Sequence, residues 1–116
     1  MPSAVPQPIQ FLAANVHAPA AATAAVITFA AGGAGVCHVV RGIVASYSAA
    51  PAAGNLKIED GAGVTVFSVD IPGAGVVEIP LFGKGSPNTE LIITLASGGG
   101  AVVGKVNVLA HWTDAP

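Results

Sequence analysis

From residue 24 the chain is a succession of short runs rich in Val, Ile, Thr and aromatics, each closed by glycine or proline. The runs are AAVITFA (24–30), VCHVVRGIVASYS (36–48), NLKIED (55–60), VTVFSVDI (64–71), GVVEIPLF (75–82), ELIITLA (90–96) and AVVGKVNVLAHW (101–112). The links between them are AGGAG, AAPAAG, GAG, PGA, GKGSPNT and SGGG. β-Branched and aromatic residues suit a pleated, half-buried surface, and glycine and proline supply the turns. No window carries helical periodicity with caps. This pattern predicts an all-β chain: a single-domain antiparallel β-sandwich or jelly roll of seven or eight strands, without βαβ units.

Alternation within the runs assigns faces. In NLKIED, Leu56 and Ile58 share one face, and Asn55, Lys57 and Glu59 the other. In VTVFSVDI, Phe67 and Val69 are expected inward, Ser68 and Asp70 outward. In the last run Val106 and Val108 oppose Lys105 and Asn107. The long run 36–48 mixes polar and apolar residues on both faces. A bulge at Gly42 reconciles His38 with Arg41 and bends the strand. Residues 1–22, MPSAVPQPIQFLAANVHAPAAA, read as an extended Pro/Ala-rich N-terminal arm, with 23–116 as the sandwich domain. Proline blocks helix there, and Ile9, Phe11 and Leu12 are the candidate partner-contact residues.

At 116 residues the chain can hold one core. Charged residues are 9% of it, against about 25% in an average domain. The net charge is −2. So uncharged a surface is expected to be covered by partners or by copies of itself. The four basic residues, Arg41, Lys57, Lys84 and Lys105, are scattered, which argues against nucleic acid as a partner. The single cysteine, Cys37, forms no internal disulfide and reads as a small buried hydrophobe. No charge occurs from Met1 to Val40, yet prolines and glycines interrupt that stretch, and its most apolar part, AVITFA, is far shorter than a spanning helix. A secretory signal would open with positive charge. The start therefore reads as the mature terminus of a chain with no membrane segment.

Motifs for chemistry are weak. AAGGAGVCHVV (30–40) has the glycines of a phosphate loop, but a strand follows where a helix N-terminus is needed, with no Lys-Ser/Thr. It reads as a corner before a strand. His17, His38 and His111 lack metal-ligand spacing, and neighbours Cys37 and His38 point to opposite faces of a strand. No serine sits in GxSxG, and Glu59–Asp60 lies beside a turn. Trp112 and Tyr47 are the large amphipathic aromatics, with Trp112 expected to cover one end of the core. No catalytic residue, metal or cofactor is assigned, and the chain is expected not to be an enzyme.

The run GNLKIEDGAGVTVFSVDIPGAGVVEIPLFGKGSPNTELIITLASGGGAVVGKVNVLAHW, and within it KGSPNTELIITLASGG, resembles small virion proteins of tailed bacteriophages, of the capsid decoration or cement class. The resemblance implies a β-sandwich subunit bound across neighbouring major capsid proteins on the capsid surface. It also implies a homotrimer at three-fold positions, made in the host cytoplasm. Two other readings stand beside it: a tail- or fibre-associated subunit, and a β-sandwich module that binds a carbohydrate or host surface. The decoration reading expects no pocket. The binding module expects an exposed aromatic or polar one.

Overall fold

A computed structural model describes residues 17–116. The strands are β1 (His17–Ala21), β2 (Ala25–Phe29), β3 (Cys37–Tyr47), β4 (Asn55–Asp60), β5 (Thr65–Asp70), β6 (Gly75–Lys84), β7 (Leu91–Leu95) and β8 (Val103–Asp114). They form two four-stranded sheets, ordered β1-β8-β3-β6 and β2-β7-β4-β5. All pairings are antiparallel. The chain is an all-β sandwich, as its alternation requires. Among the described residues no helix is long and apolar enough to cross a membrane.

The inner faces meet in one core. In the second sheet Ile27, Ile93 and Ile58 stand in register across β2, β7 and β4. The first sheet answers with Ile43 and Ala45 of β3 and Val106 and Val108 of β8, all fully buried. Tyr47 crosses between the sheets: its buried hydroxyl donates to the Ala96 carbonyl at 2.6 Å. A buried phenol needs such an acceptor, so the bond both satisfies the hydroxyl and fixes how the sheets are aligned.

Phe67 and Val69 pack on the core while Ser68 and Asp70 face water, the faces expected from alternation. The irregularity expected at Gly42 is present, but the bulged strand is its partner β6. The β3–β6 register shifts between Arg41, paired with Phe82, and Ile43, paired with Ile79, so the extra residue is on β6, where Pro80 and Leu81 stand opposite Gly42. Gly42 itself has φ +75°, a left-handed conformation suited to glycine. The consequence is a change of face. Beyond Gly42, Ile43 points into the core, whereas Arg41 points out to solvent.

The arm needs one correction. Residues 17–21, assigned to it from their proline and alanine, are β1, the edge strand paired to β8 from His17↔Asn107 to Ala21↔Val103. An edge strand tolerates Pro19, because only one side of its backbone is bonded. The sandwich therefore begins inside the segment read as arm. Ile9, Phe11 and Leu12 lie outside the described residues.

Candidate functional site

The outer face of the first sheet carries the group of side chains best suited to hold a ligand. Along β6, Val77, Ile79 and Leu81 pack inward, so Glu78, Pro80 and Phe82 point out. The left-handed backbone at Gly42 leaves Arg41 facing out, directly opposite Phe82 in the β3–β6 register. From β8, Leu109 lies against Gly42, where even a Cβ would come within 3.0 Å of it. Together these residues line an open depression of about 730 Å³ across β8, β3 and β6.

Phe82 dominates this face. It is 61% exposed, an unusual state for a large aromatic. The Arg41 guanidinium sits 5.6 Å from its ring centre, a cation–π arrangement that holds the charge in place. Trp112 meets the ring edge to face, with centroids 5.8 Å apart. Trp112 therefore braces the platform, where the sequence suggested a cover for one end of the core. Its indole Nε1 is buried with no hydrogen-bond partner. Phe82 itself drew no notice in the sequence reading. Its signal was its parity with Glu78 and Pro80 on a strand whose other face is apolar.

A second feature lies behind the platform. His38 and His111, 73 residues apart, are brought together because β3 and β8 pair Val40 with His111. His38 Nε2 stands 2.6 Å from the Ala30 carbonyl, which only accepts, so this nitrogen carries the proton. His38 Nδ1 is then an acceptor, and His111 Nε2–H donates to it at 2.9 Å. His111 stacks on Phe29, with centroids 3.9 Å apart and planes 4° from parallel. Burial first, and the neighbouring His38 second, push the His111 pKa down to about 4. At neutral pH the pair is a polar staple between β3 and β8. Sequence reading kept these histidines apart, because cross-strand register is not visible in spacing.

The remaining sequence candidates have structural roles. Cys37 is buried and free, as expected for a small hydrophobe. The Asp60 carboxylate accepts from the Ser86 N–H at 2.9 Å and the Ser86 hydroxyl at 2.5 Å, which pins the 85–88 loop. Glu59 accepts from the Gly63 N–H at 2.8 Å. Among the described residues no group of three or more His, Cys, Asp or Glu could hold a metal. A smaller cavity of about 240 Å³ opens between β5 and β6, lined chiefly by Ile58, Phe67, Leu81 and Leu91. The polar groups at it, Asp60 and Lys84, are already bonded to Ser86 and to the Ala115 carbonyl.

No family model matches the chain, and no curated protein matches it. Solved structures do. Carbohydrate-binding module CBM36, in complex with calcium and xylotriose, is 15% identical; the match covers 97% of this chain and 91% of that one, with a TM-score of 0.39. TmCBM61, in complex with β-1,4-galactotriose, is 13% identical over 83% and 67% of the two chains, with a TM-score of 0.43. Arabinose-bound MgGH51 α-L-arabinofuranosidase is 12% identical over 92% of this chain and 24% of that one, with a TM-score of 0.47.

Proposed function

We propose that the chain is a non-catalytic binding module that takes a carbohydrate on the outer face of the first sheet. The observation that carries this reading is the exposed Phe82 ring beside Arg41, at one end of a depression that has Glu78 near the other. A sugar presents apolar C–H faces and a rim of hydroxyls. An aromatic face suits the first, and charged groups that donate and accept hydrogen bonds suit the second. Four residues of extended strand separate Phe82 from Glu78, about 13 Å, which makes the site a track for an oligosaccharide. The side chains stand on paired strands rather than on loops, so the face is preformed and loses little entropy on binding.

Affinity electrophoresis against a panel of polysaccharides, followed by calorimetry, tests this. The wild-type chain is expected to bind at least one glycan. Phe82→Ala is expected to weaken that binding about tenfold, which is about 1.4 kcal/mol. Because Phe82 is exposed, its loss should leave thermal stability nearly unchanged. Full affinity in a folded Phe82→Ala variant would exclude this face.

A second reading, the virion decoration subunit, is favoured by Val26 and Val66, 47% and 60% exposed on the second sheet, and by Val64, 55% exposed in the turn just before β5. These suit a protein contact. That reading expects a trimer in sedimentation equilibrium and co-sedimentation with capsids through the major capsid protein. It has no use for the Phe82 depression.

A further inference from the structure

We infer that the glycan taken by this face is acidic, a uronate-containing oligosaccharide whose carboxylate is received by Arg41. This rests on the carbohydrate reading of the face and adds the class of sugar.

Arg41 is exposed, and its guanidinium is positioned over Phe82. Among the described residues the ion pair is Lys57 with Glu59, on the other sheet, and no carboxylate meets Arg41. A guanidinium has five N–H donors in a planar fork that matches a carboxylate with two parallel hydrogen bonds. Stacking on an aromatic ring leaves the edge of that fork available. Arg41 is thus a fixed, unspent donor at the end of a sugar-sized track. Since Arg41 and Phe82 are cross-strand partners, a sugar ring resting on the exposed part of Phe82 brings its carboxylate beside the fork.

The charge distribution points the same way. Arg41, Lys84 and Lys105 all project from the outer face of the first sheet. Glu78 and Asp114 are the acidic residues there, in a chain whose net charge is −2. The face is therefore positive on an acidic protein, which favours an anionic ligand. The cations are spread out, and the Lys84 ammonium is bonded to the Ala115 carbonyl. A single bidentate contact to a carboxylate fits this arrangement. A densely sulfated chain would call for clustered cations.

The test is calorimetry with oligosaccharides of galacturonate, glucuronate and mannuronate, each compared with its methyl ester. The ester keeps the sugar and removes the charge. The expected result is that one acid binds about tenfold or more tightly than its ester, with the advantage shrinking as salt is raised. Arg41→Gln should bring acid and ester to the same affinity. Arg41→Lys, which keeps the charge but not the fork, should retain only part of the preference. Phe82→Ala should weaken both acid and ester, the acid somewhat more because the ring also positions Arg41. Thermal melts establish that the variants are folded. Equal binding of acid and ester, or an acid preference that survives Arg41→Gln, overturns the inference. So does a stronger preference for a sulfated glycan. If no uronate binds but a neutral polysaccharide is retained through Phe82, the acidic inference falls and the carbohydrate reading stands. If no glycan of any kind is retained, both fall.

Discussion

Replacing Ile93 by alanine is expected to destabilise the fold by about 3–4 kcal/mol. Ile93 is fully buried at the centre of β7, between Ile27 of β2 and Ile58 of β4. The two flanking strands hold the backbone in place on either side, so the sheet cannot close over the missing methylenes. The loss is then a transfer term plus a cavity term, which places it in the middle of the range for such truncations. For a chain of this size each kcal/mol moves the melting temperature by about 4 °C, so a drop of about 12–16 °C is expected. Val66→Ala is the control. Val66 is 60% exposed, and its truncation should change stability by less than about 0.5 kcal/mol. Urea unfolding of both variants checks the pair. A loss below 1 kcal/mol for Ile93→Ala would mean that the two sheets do not close on β7 as described.

Ile93 also shows what the sequence makes legible. The burial of Leu91, Ile93 and Leu95 follows from a period of two in LIITL, because successive side chains must point to opposite faces. The same rule set Phe67 and Val69 inward, and the clash of two periodicities in 36–48 pointed to an irregularity at Gly42, where the β3–β6 register does shift, with the extra residue on β6. Local rules reach these features because each depends on a few adjacent residues. They do not reach pairing between distant strands. The Arg41–Phe82 contact needs β3 beside β6 in one particular register, and the His38–His111 bond needs β3 beside β8 in another. β1 was lost in the arm for a related reason. HAPAA has little β-propensity of its own and becomes a strand because β8 offers an open edge. The fold class was therefore readable, while the site, assembled from three strands, required the register.

The His38–His111 bond makes stability depend on pH below neutrality. The ordinary histidine pKa is near 6.5, and His111 in the folded chain is lowered to about 4. Between those values the unfolded chain holds a proton at this position that the folded chain does not. Where the unfolded state binds more protons, stability rises with pH. The folded chain should thus be at full strength above about pH 6.5, lose stability as pH falls toward 4, and lose no more from this group below that. The full shift would correspond to about 3 kcal/mol. His111 is only half-buried, and solvent screening reduces the expected loss to about 2 kcal/mol. His111→Gln separates this from the carboxylates. Its amide can still donate to His38 Nδ1 but cannot take up a proton in this range. Urea midpoints measured from pH 7.5 to 4 should fall steeply for the wild-type chain and more gently for His111→Gln, with the curves diverging below about pH 6.5. Parallel curves would show that His111 titrates alike in the folded and unfolded chains, and the buried pair would then not be the acid-sensitive element of the sandwich.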